Sequence, residues 1–199
     1  MLKVGITGGI GSGKTVVCRI FQSLGIPIYH ADVEAKQLYF TDHSLKLELI
    51  EKFGSEFYLS DTEINKSFAR NLLQDKTTRD LFNGIVHPKV FDHFETWVKN
   101  QNSPYVIKEA AILFESGANK TVNIVVGVVA PEELRIKRVM QRDNLDETQV
   151  RKIIALQLSN QELSSKCQFI IQNDEQHSLI HQVMEIHQEL LDKSTHFEG

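Results

Sequence analysis

The first twenty-five residues, MLKVGITGGIGSGKTVVCRIFQSLG, constrain this chain most, because they hold Gly8-x-x-x-x-Gly13-Lys14-Thr15 in the setting that pattern requires. Before it runs Leu2 to Thr7, a short apolar strand; after it Val16, Val17, Ile20, Phe21 and Leu24 recur at helical spacing until Gly25 ends the helix. A glycine-rich loop between strand and helix can turn its N–H groups onto anionic oxygens, and the helix opening near Lys14 adds its positive end. Lys14 is then placed to reach the β- and γ-phosphates of a nucleotide, and Thr15 to offer a hydroxyl to Mg²⁺. The alternative, a glycine-rich turn that happens to precede a helix, does not account for the full eight-residue match. We read the segment as a P-loop.

The rest of the composition bounds the setting. The 199 residues suit one core with a small appended subdomain. With 22 Lys+Arg against 26 Asp+Glu the net charge is −4, which argues against a general nucleic-acid footprint. No apolar run approaches membrane-spanning length and the N-terminus enters a strand directly, so the expectation is a cytoplasmic protein with no membrane partner. Cys18 and Cys167 fit no metal spacing and read as reduced thiols, Cys18 in the core. Oligomeric state has no signature in the sequence.

Along the chain, Ile26 to Tyr29 reads as a second strand, followed by Asp32 at the end that is the ligand side in open α/β sheets. Asp32 has two readings, ligand-side acid or helix N-cap, and they are compatible. Residues 44–102 read as a helical insertion with no strand; within it Pro88 is expected to kink or divide a helix over Thr78–Asn100 after His87. His87 either faces a ligand or serves as a turn element. Tyr105–Glu109 reads as the third strand, ending on Glu109, either a Walker-B-like acid holding Mg²⁺ through water or a plain surface residue. Val122–Val129 is the fourth strand, apolar enough to be covered on both faces, and Phe169–Ile171 the fifth. The order implies an α/β fold, a five-stranded parallel sheet flanked by helices with right-handed crossovers.

Arg135, Arg138 and Arg142 share the helix after the fourth strand, the last two on one face. Either an anion compensates them, as phosphoryl transfer requires, or they are a solvated face paired with Asp143 and Glu132.

TGGIGSGKT at 7–15, YHAD at 29–32, NGIVHP at 83–88, KEAAILFE at 108–115, RVMQRD at 138–143 and IIQND at 170–174 together resemble the dephospho-CoA kinase family over essentially the whole chain. The resemblance implies a P-loop NTPase fold in one domain over 1–199, with residues 44–102 as the CoA-side insertion and a lid over about 138–160. It implies ATP-dependent phosphorylation of the 3′-hydroxyl of dephospho-coenzyme A, with ATP and dephospho-CoA as substrates and Mg²⁺ as cofactor. By residue, it implies that Gly9, Ile10, Gly11, Ser12, Gly13, Lys14, Thr15 and Val16 hold ATP, that Asn173 lies near adenine, and that Thr15 and Glu109 serve the metal. Lys14, Asp32, Arg138 and Arg142 would be catalytic, Asp32 as general base; Asp32, His87, Leu113 and Glu115 would meet the acceptor. His30, Ala111, Gln168 and Glu175 depart from the family's usual Asp, Pro, Asp and Gly, and Asn65-Lys66 stands where an Arg is common. Another small-metabolite or nucleoside-monophosphate kinase would share the P-loop and arginines. A GTPase switch would need a guanine-reading Asn-Lys-x-Asp, and neither Asn65-Lys66 nor Asn119-Lys120 continues that way.

Overall fold

Five parallel strands organise the first part of the fold in a computed structural model that describes residues 1–197. The chain forms two compact units, one of residues 1–30 with the chain from Asn100 onward, the other Ala31–Lys99.

In the first unit, β1 (Leu2–Thr7) leads through the phosphate loop into α1 (Lys14–Ser23), and the chain returns as β2 (Ile28–His30). After the second unit follow β5 (Tyr105–Glu109) and β6 (Ile124–Val129), three helices, α6 (Glu132–Asp143), α7 (Glu147–Ala155) and α8 (Asn160–Lys166), then β7 (Phe169–Gln172) and α9 (Leu179–Thr195). The sheet order is β2-β5-β1-β6-β7, so β1 is central and both its neighbours arrive by crossover.

The alternation of strand side chains decides the packing. Val4 and Ile6 of β1 stand level with Ile124 and Val126 of β6 and, with Ile107 and Ile171, meet Val17, Cys18 and Phe21 of α1 and Val183 and Leu190 of α9. The opposite face is covered as well: a Cβ at Gly5 would press on Leu113 and Val122, and one at Gly127 on Cys167 and Ile170. Burial on both faces is why β6 could be recognised by an unbroken apolar run. The second and fourth strands begin two residues later than their apolar runs, at Ile28 and Ile124, because Ile26 and Val122 lie before the parallel pairing starts.

The second unit contains α2 (Ala31–Thr41), α3 (His43–Phe53), β3 (Tyr58–Ser60), β4 (Glu63–Ile64), α4 (Lys66–Leu72) and α5 (Lys76–Lys99). It opens at Ala31 rather than Ser44, since α2 packs on α3 and α5. Phe53, Phe57 and Phe82 form its aromatic centre, with ring centroids 5.9–6.3 Å apart. Asp42 caps α3 by accepting the Leu45 N–H at 2.9 Å, a bond that holds its carboxyl below the usual range.

Two expectations need correction. The segment read as strandless carries the β3–β4 hairpin, invisible to pattern because its strands are three and two residues long. Pro88 does not divide α5, which runs unbroken for 24 residues. The bond that Pro88 forfeits would have gone to Gly84, and both residues are exposed, so water can take that carbonyl.

Candidate active site

The loop Gly8–Gly13 is shaped by its glycines. Gly11 and Gly13 take φ of 76° and 95°, the left-handed region, which turns successive backbone N–H groups toward one side. Gly13 is held to glycine twice over, since a Cβ there would also collide with the Asn173 side-chain amide. Ser12 N–H donates to Gly9 O at 3.1 Å to close the turn. The Ser12 hydroxyl is buried and has no hydrogen-bond partner within the protein, an unmet polar atom of the kind that marks a ligand site. Lys14 lies along the loop, donating to Gly8 O at 2.6 Å and Gly9 O at 3.4 Å. Thr15 and Val16 open α1 with exposed side chains. The cradle therefore fits a polyphosphate: two left-handed glycines, a buried unmet hydroxyl and an ammonium lie on one loop that carries no carboxylate.

Asn173 follows β7 and is almost buried. Its Nδ2 donates to Ser12 O at 2.8 Å, and its Oδ1 and backbone carbonyl accept from Arg138 at 3.3 Å. It thus braces the loop. A hollow of about 460 Å³ beside it is lined by Val16, Ile20, Asn173, Glu175 and Ile180, an apolar slot with polar edges that suits a flat base. Glu175 adopts φ 67°, the left-handed region, which accounts for glycine being usual there; its carboxylate accepts from Arg138 Nη2 at 3.3 Å.

Arg138 and Arg142, expected to act together on one face, have separate partners. Arg138 is engaged by Asn173 and Glu175, while Arg142 forms a two-pronged pair with Asp143 at 2.7–2.8 Å that raises its pKa. Of the two acids weighed as partners for this face, Asp143 takes Arg142, and Glu132 binds Arg151.

Glu109 ends β5 and accepts or shares a hydrogen bond with His30 Nδ1 at 3.2 Å, across the β2–β5 pairing. Burial and then the Glu109 charge push the Cys18 thiol up, and Lys14 opposes them. Thr15 and Glu109 offer the hard oxygen donors that Mg²⁺ takes. Glu115 is exposed at a small cleft with Gly8, Gly9 and Gln157. Leu113 is different from its expectation: it is fully buried beneath β1 and serves the core, not the acceptor.

In the helical unit, Asp32 is the second residue of α2, exposed in its first turn, so it lies inside the helix and is not its N-cap. Its charge, after burial, helps push the Tyr39 phenol up to about 12. His87 is half-buried on α5 with its ring stacked on Phe91, centroids 6.2 Å apart. A hollow of about 470 Å³ lies within this unit, lined by Tyr39, Phe57 and Phe82 with Lys36, Lys66 and Arg70. Its aromatic floor and cationic walls escaped sequence reasoning because the residues come from four separate elements. Gln157, which contacts the loop at Ile10, was likewise unassigned, and Arg135, named among the helix arginines, turns inward to Ile10 instead of joining a solvated face.

The comparisons with known proteins agree with this geometry. The dephospho-CoA kinase family profile matches residues 2–178. A dephospho-CoA kinase from Bacteroides fragilis is 39% identical over 187 residues, 93% of this chain and 91% of its own, and one from Salinibacter ruber is 38% identical over 178 residues, 87% and 89%. In fold, the chain resembles TT1252 from Thermus thermophilus (TM-score 0.80, 24% identity, 96% and 97% covered) and the dephospho-CoA kinase from Campylobacter jejuni (TM-score 0.67, 23% identity, 96% and 98%). The P-loop, the parallel sheet and a family match that extends over most of the chain lead to one conclusion: the chain belongs to the dephospho-CoA kinase family.

Proposed function

We propose that the protein transfers the γ-phosphoryl group of ATP to the ribose 3′-hydroxyl of dephospho-CoA, giving coenzyme A and ADP. The family match over residues 2–178 carries this reading, and the loop geometry around Lys14 supports it. The loop amides and Lys14 bind the β- and γ-phosphates, while Val16 and Asn173 border the base. Asp32 accepts the hydroxyl proton as the new O–P bond forms, and the bond from the γ-phosphorus to the ADP oxygen breaks. Arg138 and Arg142 offset charge that develops on the transferred group, each leaving the acid that now holds it.

Thr15, with Glu109 acting through water, would hold Mg²⁺, which when bound neutralises phosphate charge. The helical unit takes the acceptor: the apolar floor of its hollow suits the apolar part of a pantetheine arm, and Lys36, Lys66 and Arg70 suit phosphate. His87 of the same unit is a further acceptor residue in this reading, as is Glu115 of the first unit. Among the described residues no helix is long and apolar enough to cross a membrane. The proposed setting is the cytoplasm, with no nucleic-acid partner. Incubating the protein with ATP, Mg²⁺ and a panel of dephospho-CoA, shikimate and nucleoside monophosphates tests the reading by mass spectrometry. A gain of one phosphoryl group on dephospho-CoA alone supports it; phosphorylation of another acceptor instead overturns it.

A further inference from the structure

Arg135 shares α6 with Arg138 but points inward and is 3% exposed. Its Nε donates to Ile10 O at 2.9 Å and its Nη2 to Gln157 Oε1 at 3.3 Å, and that same glutamine oxygen accepts the Ile10 N–H at 2.8 Å. Two side chains from outside the phosphate loop therefore take both polar groups of Ile10. The residues on either side depend on Arg135 as well. A Cβ at Gly9 would overlap its guanidinium, and one at Gly11 would come within 2.6 Å of its backbone carbonyl. Three consecutive loop residues rest on this arginine.

Both of its side-chain partners are neutral oxygens, and among the described residues no carboxylate lies within ion-pair distance of it. The charge of Glu132 acts on it in the favourable sense, but that carboxylate is bound to Arg151 at 2.7 Å. Burial holds the Arg135 pKa below the usual arginine range. An enclosed cation without a counter-ion is costly, and such groups are found paired when the protein is in its working state.

We propose that Arg135 is a positioning residue of the phosphate loop, and that the polyphosphate of the bound nucleotide is the counter-ion of its charge. Gln157 is its fixed partner, linking the end of the α7 region to the loop. The inference rests on the nucleotide-binding reading and goes beyond it by assigning an arginine behind the cradle, where no ligand atom need touch it.

Gln157→Glu gives the decisive test, because it keeps the oxygen that both Ile10 and Arg135 use while supplying an internal carboxylate. Calorimetric titration of the full-length protein with ADP and with AMP, alongside thermal melting without nucleotide, reads both consequences. Gln157→Glu is expected to raise the melting temperature and weaken ADP about tenfold while AMP changes less than about twofold, since a charged contact to the second phosphate is offset. Arg135→Gln is expected to lower the ADP preference over AMP by a similar factor. Equal loss of ADP and AMP in both variants, or an unchanged ADP affinity in a stabilised Gln157→Glu protein, overturns the counter-ion role and leaves Arg135 as packing. Failure of the wild-type protein to bind ADP would instead remove the nucleotide reading, and this inference with it.

Discussion

The Asn173 side-chain amide donates to the Ser12 carbonyl across 2.8 Å, joining the end of the edge strand β7 to the phosphate loop beside the central strand. The bond is buried, so Asn173→Ala leaves the Ser12 carbonyl unsatisfied and costs about 1–3 kcal/mol of stability by urea denaturation. Gly13→Ala is expected to cost more, because it adds a left-handed alanine to a collision with the same amide. Both should raise the KM for ATP. A stable Gly13→Ala protein with normal KM would show that the loop does not depend on this brace.

Glu175 pairs with Arg138 yet sits at φ 67°. Glu175→Gly removes the strained conformation and an exposed ion pair of small value, but adds freedom to the unfolded chain, and these offset to within about 0.5 kcal/mol. Glu175→Val places a β-branched residue in the left-handed region and should lose about 1–2 kcal/mol. Denaturation midpoints in urea check the order. Equal stability of the two variants would mean that the backbone conformation at 175 changes with the side chain.

Cys18 lies under the loop lysine in the apolar layer between α1 and the sheet, and burial, with Glu109 second, pushes its thiol up to about 12. A raised thiol pKa means that the native state keeps its proton while the unfolded state loses it near the ordinary thiol value of 9.0, so this contribution to stability is intact below about pH 9 and erodes between pH 9 and 12. At neutral pH the native protein should resist iodoacetamide at Cys18 and react only on unfolding. Peptide mapping after timed alkylation measures this; rapid native labelling of Cys18 would contradict the burial.

How much of this was legible before the structure follows from how local each signal is. The phosphate loop and its lysine occupy eight consecutive residues, and the buried strand β6 declares itself by an unbroken apolar run, so both could be read directly. The contacts of Arg135 and Gln157 with Ile10 span 125 and 147 residues and carry no local pattern. Leu113 lay in a segment resembling a family motif, and the resemblance said nothing about which of its residues faces inward. The β3–β4 hairpin offered too few residues for alternation to show. Pro88 misled because the rule against proline in helices weakens where the freed carbonyl meets water.

Asp32 is the residue on which the proposed chemistry turns. A ribose hydroxyl is a weak nucleophile, and a carboxylate in reach can orient it and take its proton as charge develops. Because Asp32 lies inside the first turn of α2, the capping role that competed for it is absent, and its carboxylate contributes to the helix only through the dipole, about 0.3–1 kcal/mol. Asp32→Asn keeps size and an acceptor oxygen but cannot take up the proton. We expect kcat to fall by roughly 10²-fold or more, with ATP affinity near wild type and the melting temperature lowered by no more than a few degrees. Steady-state kinetics and thermal melting on the same preparation decide the matter. An Asp32→Asn enzyme with full kcat would remove Asp32 as the base, and Glu109, bound to His30 at the end of β5, would be the acid to replace next.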